Sequence, residues 1–232
     1  VSGANANTGA ITVNAGTLAV ANTNGLGTTA GGVTVASSAT LDLRNIAIGA
    51  EAIILNGGTV ATSTGTSSHS GTVALGANST VNVAGTQLTL SGIISGTNFG
   101  ITKTGAGILV LSANNTYTGS TAINAGTLLA TNSGAVGTSA GGVSVAAGAT
   151  LALQGSITIA DAITLRGDGV GDVGAILNNS GANTISGLVT LAAASRVGST
   201  AGTLTFDVAT GNSFTGTFNL TFAGDGNTTV TD

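Results

Sequence analysis

Apolar side chains in this chain return at every second residue in short runs, and no stretch sustains the 3.6-residue spacing of a helix. Ile11–Val13, Val33–Val35, Leu41–Leu43, Val81–Val83, Leu88–Leu90, Val143–Val145, Leu151–Leu153 and Ile157–Ile159 each place an aliphatic residue at i and i+2, with a small or polar residue between. That alternation marks strands buried on one face. Gly, Asn, Ser and Thr, the residues that turns tolerate, bound the runs. The pattern predicts an all-β fold with little or no helix.

Composition chooses among the all-β architectures. A two-layer sandwich is about 10 Å thick and relies on large core side chains. This chain has no tryptophan, one tyrosine (Tyr117) and five phenylalanines, of which Phe206, Phe214, Phe218 and Phe222 lie near the C-terminal end. A narrow solenoid needs only Val, Ile, Leu and Ala inside, because each coil rests on its neighbours. The absence of proline agrees, since interior coils engage their N–H groups. Parallel crossovers are overwhelmingly right-handed, so the expected fold is a right-handed parallel β-helix, a β-solenoid. Coils of roughly 20 residues predict about 11–12 of them, in a rod about 50–60 Å long.

An internal repeat sets the larger organisation. Residues 13–43 align with residues 123–153 without a gap, at an offset of 110, with 18 identities in 31 positions. A weaker echo pairs Ser70–Leu75 with Ser186–Leu191, and Leu88–Leu90 with Leu204–Phe206, at an offset of 116. The expectation is a single solenoid over 1–232, built from about two copies of a 110–116-residue unit (approximately 1–110 and 111–232) and forming a segment of a longer chain.

Several classes are excluded. Without cysteine there is no disulfide framework or thiolate metal site. Charged residues are 5% and the net charge is −4, and Arg44, Lys103, Arg166 and Arg196 are too dispersed for the basic patch that nucleic acid requires. No apolar run approaches the ~18–20 residues of a membrane helix, so no membrane span is expected in this chain. A mean hydropathy of +0.50 argues against ordinary disorder.

The most specific segment is residues 101–130. It contains the Lys103-Thr104-Gly105-Ala106-Gly107 stretch, then Leu109–Leu111, then Asn115-Thr116-Tyr117-Thr118-Gly119 and Asn124–Leu128. This segment resembles the passenger-associated transport repeat, the autotransporter-associated β-strand repeat. Residues 1–20 resemble a degenerate copy that keeps Asn5, Gly9 and Asn14–Leu18 but lacks the tyrosine. The resemblance implies a β-helical passenger of type V secretion, at the outer surface of a Gram-negative-type bacterium or in its medium. The barrel strands that would anchor such a passenger are not visible here.

Candidate chemistry is sparse, and no enzyme, catalytic group or cofactor is expected. His69, the only histidine, lies in the polar tract Thr62–Ser70, which reads as a loop with no partner motif. The acidic stretch Asp161–Asp172 holds Asp168 and Asp172, weak candidates for Ca²⁺ ligation or for acid/base work. Its simpler reading is a glycine-rich loop between coils. Arg166-Gly167-Asp168 spells an attachment tripeptide that arises cheaply in a glycine-rich chain. The Asn-x-Ser/Thr triplets at Asn78, Asn114, Asn178, Asn219 and Asn227 matter only on a eukaryotic secretory route. Gly31–Gly32 and Gly141–Gly142 read as turns rather than phosphate cradles, because no helix follows them.

The expected function is a structural rod: a surface fibre, stalk, matrix or filament element. Scarce charge and uncapped solenoid ends leave two expectations: the full-length protein continues the coil past both ends, or copies self-associate head to tail. The alternative is an adhesin that binds a glycan or host surface, with Tyr117 as a possible contact. An ice-binding face would need paired threonine ranks in register, and irregular coil lengths are expected to break them.

Overall fold

Each alternating run becomes a strand, and each strand pairs in parallel with its counterpart one coil away. The computed structural model describes residues 1–231 as an all-β parallel solenoid of about ten turns. Its one helical turn is a 3₁₀ segment at Val170–Asp172. Coil length varies: the step from Ile108 to its partner Thr127 is among the shortest, and the step from Ile163 to Val189 is among the longest. Long steps of the latter kind explain why fewer turns form than the sequence predicts. At the spacing of neighbouring strands the stack is about 48 Å long.

Three faces surround the shaft. The first carries Ile11–Val13, Val33–Ala36, Ile53–Asn56, Val73–Ala77 and Ile94–Ser95. It then passes through the less regular residues 115–118 and 134–138, joined by Thr116 N donating to Ile94 O and Thr138 N to Tyr117 O. The second face begins with Gly16–Val20, Ala39–Leu43 and Thr59–Thr62 and runs on to Ile163–Gly167. The third includes Thr66–His69, Gln87–Leu90, Ile108–Leu111, Gly126–Ala130, Ala149–Gln154 and Ile176–Ser180. The Val189–Ser199 strand turns the corner between the second and third faces, pairing at its start with Ile163–Leu165 and at its end with Ile176–Asn178.

Inward residues form rows along the axis. On the third face the row is Leu88, Leu109, Leu128, Leu151, Ile176 and Val197, all fully buried. Aliphatic side chains suffice because each contributes a small area to a core only one coil deep, at about 25 cal/mol per Å² buried. Corners approach even more closely. A Cβ on Gly71 would lie 1.9 Å from Glu51 O, and one on Gly92 would lie 1.8 Å from Gly71 O. Only glycine fits such a column, which accounts for much of its abundance.

The two sequence copies are out of phase with the coil. Ile11–Val13 stands on the first face, whereas its equivalent Thr121–Ile123 pairs with Ile101–Lys103 on the second. Likewise Ala39–Leu43 is on the second face and its equivalent Ala149–Gln154 is on the third. The 110-residue unit therefore spans five coils plus one further face. Sequence alignment finds the unit but not this rotation.

The phase can be tested by cross-linking in a protein with no native cysteine. Thr102→Cys with Ala122→Cys joins register neighbours and should oxidise readily, since adjacent strands fall within disulfide reach. Thr12→Cys with Ala122→Cys joins repeat equivalents on different faces and should stay reduced, as read by thiol titration and intact mass.

Candidate functional site

The residues that promised chemistry mostly lie in the shaft. His69 is not in a loop: it ends the Thr66–His69 strand, fully buried, in the inward row between Ile48 and Leu90. Its Nε2 lies 2.7 Å from Glu51 O, and its Nδ1 has no partner. Burial holds its pKa below the ordinary 6.5, so the ring is neutral at physiological pH. The ring does not reach solvent.

Tyr117 is corrected too. An adhesive contact needs exposure, and this side chain is 0% exposed. It plugs the first face where regular strand is missing, its hydroxyl 2.5 Å from Thr121 Oγ1, which in turn donates to Val136 O at 2.9 Å. Lys103, the lysine of the most specific motif, is equally hidden. It occupies the second-face inward row between Val81 and Ile123. Its stem continues the aliphatic row, and Nζ donates to the carbonyls of Thr104, Gly105 and Ala125 at 2.9, 2.7 and 3.0 Å. Burial lowers its pKa to about 8. Neither composition nor the motif signalled a cation in the core.

Asp161 is 2% exposed, with Oδ1 unpartnered, and desolvation lifts its pKa to about 6. It sits at a glycine-lined corner, where a Cβ on Gly187 would come within 1.9 Å of its carbonyl oxygen. Glu51 occupies the equivalent position in the earlier sequence copy, is also buried, and is also shifted upward by desolvation.

The accessible chemistry gathers on one protrusion of the third face, over residues 166–174. Gly174 N donates to Asp168 O at 2.8 Å and closes its neck. Thr150 anchors it, donating to Gly174 O at 2.9 Å and accepting from Val170 N at 2.9 Å. Gly198 lets it lie flat, since a Cβ there would be 1.9 Å from Val173 O. Asp168 and Asp172 both belong to this protrusion and meet Arg196 in different ways. Asp168 Oδ1 lies 4.0 Å from Arg196 Nε, whereas Asp172 lines a groove of about 250 Å³ with Val173, Leu177, Arg196, Ala223 and Asp225. No group of three or more metal-ligating side chains occurs among the described residues.

The second face carries a single outward file: Thr17, Thr40, Thr59, Thr80, Thr102, Ala122, Ser144, Thr164, Thr190 and Thr215. Irregular coil lengths are absorbed elsewhere and do not break this register. The parallel file two residues on, through Ala19, Asp42, Ala61 and Asn82, is mixed, so paired threonine ranks are absent there.

Fold and surface together define a repetitive parallel solenoid with a filled shaft. Residues 1–20 and 101–130 match the passenger-associated-transport-repeat. In these two segments the chain is similar to the repeat regions of autotransporter passengers. It is 38% identical over 142 residues to the adhesin BmaC autotransporter of Brucella suis, a match covering 60% of this chain and 4% of that protein. The chain thus corresponds to a small fraction of the length of this relative. No solved structure matches it.

Two variants test these placements. Tyr117→Ala should destabilise the fold by about 3–5 kcal/mol, measured by denaturant unfolding, because it empties a packed site. For Asp161 the folded pKa of about 6 lies above the ordinary 3.8, so the native chain holds a proton that the unfolded chain releases. Its contribution is therefore fully present below pH 3.8 and is lost as pH rises through about 6. Asp161→Asn should raise Tm relative to the parent at pH 8, and that advantage should shrink towards pH 3.

Proposed function

We propose that this chain is a rigid, non-enzymatic segment of a surface-displayed passenger, serving as a stalk, fibre or matrix element. The observation that carries this reading is the parallel stack of coils, with reactive side chains such as His69 and Lys103 committed to its interior. The last described coil leaves its apolar row open along the axis. Phe206, Phe214 and Phe222 cluster with ring centroids 4.6–6.4 Å apart, yet Phe222 and Val230 are each 45% exposed. Another coil laid on that end, from the continuing chain or from a second copy head to tail, would cover them and pair the strand edge.

An adhesive role is the second reading, favoured by the description of the relative as an adhesin. Its ligand is a glycan or a host surface, met by the exposed faces rather than by Tyr117.

Sedimentation and electron microscopy over a concentration series test the stacking. Rods lengthening in steps of one chain are expected, and Phe222→Asp with Val230→Lys should cap them. A single species of constant length at every concentration would remove self-association. Beads coated with the chain and retained on glass or matrix under flow test adhesion separately.

A further inference from the structure

Glycine abundance makes Arg166-Gly167-Asp168 a cheap tripeptide by composition, but composition does not decide its placement. Arg166 is exposed near the end of the Ile163–Gly167 strand, and its neighbour Leu165 points into the shaft. Its side chain is in neither of the ion pairs formed by described residues. At Gly167 the strand register shifts and φ is +75°, which sends the chain outward into the protrusion. Asp168 follows with 52% of its side chain exposed, near Arg196 rather than Arg166. A guanidinium and a carboxylate on either side of one glycine therefore both reach solvent without neutralising each other. The closed neck and the Thr150 anchor fix the turn that carries them.

We infer that Arg166 and Asp168 form an attachment site for a cell-surface protein receptor. The receptor offers a carboxylate pocket to the guanidinium and an open coordination position on a divalent cation to the Asp168 carboxylate. Guanidinium pairs with carboxylate through parallel charge-assisted bonds, and carboxylate oxygen is a hard ligand suited to Mg²⁺ or Ca²⁺. A turn already held in place lowers the ordering cost of binding. An acidic polysaccharide fits less well, because Arg44 lies against Asp42 and Lys103 is buried, which leaves few free cations for a polyanion. This inference rests on the adhesive reading and names its contact and partner.

Attachment of cultured mammalian fibroblasts to surfaces coated with the whole chain tests it. Cells should attach in Mg²⁺ or Mn²⁺ and release in EDTA. Soluble Gly-Arg-Gly-Asp-Ser should compete, and Gly-Arg-Gly-Glu-Ser should not. Asp168→Glu and Arg166→Lys should each reduce attachment at least about tenfold, as loss of a central contact does. Asp168→Glu keeps the charge opposite Arg196, so an unchanged Tm and circular dichroism separate lost recognition from lost folding. Asp225→Glu, in the neighbouring groove, should attach like the parent. Equal attachment by both tripeptide variants, or attachment that survives EDTA, overturns the site and leaves the adhesive reading standing. Absence of fibroblast attachment by the parent also overturns the site, while bead retention under flow judges adhesion independently.

Discussion

Hydrogen bonding between coils is the constraint on which everything else in this molecule depends. Most interior strands satisfy their backbone by matching a strand one coil away on either side, and pairing resumes beyond insertions of several residues. Parallel pairing of this kind brings corners together so closely that Gly71 and Gly92 meet carbonyl oxygens where any side chain would stand. The glycine content is thus a consequence of the ladder rather than a sign of flexibility. The aliphatic interior follows as well, since a core one coil deep is filled by stacked aliphatic rows, with Tyr117 and Phe206 as buried aromatic exceptions.

Polar groups in the shaft are placed where the ladder is interrupted. Asn115 accepts from Ile94 N at 2.8 Å and donates to Ala135 O at 2.7 Å, bridging three successive coils where regular strand is missing. Asn183 accepts from Ile157 N at 2.8 Å and donates to Ser180 O at 2.8 Å. Lys103 serves three carbonyls at a corner. These side chains stand in for backbone partners, because a buried carbonyl or N–H without a partner is costly. Asp161 and His69 are partial exceptions, each retaining one unpartnered atom, and both are shifted towards their neutral forms.

The strands, their parallel stacking and the repeat were legible because period-2 alternation and self-similarity are local or alignable signals. Burial of particular polar residues was not. Thr66–His69 reads as a polar loop because its inward positions are Ser67 and His69, and only its neighbours Leu88 and Leu90 reveal the row they belong to. Tyr117 reads as a free aromatic until the gap it fills is seen. The protrusion was legible as a glycine-rich loop, yet the separation of Arg166 from Asp168 depends on one positive φ and on Arg196, which a later strand supplies.

The mismatch between unit length and coil length has a geometric consequence for any array of such units. Each additional copy advances about 26 Å along the axis, from five and one-third strand spacings, and turns by one side of the triangular cross-section. A surface feature common to every copy would climb the rod as a spiral staircase, returning to its starting azimuth only at the fourth copy. Such a rod has no preferred side to present, so a ligand approaching from any direction would find a step within reach.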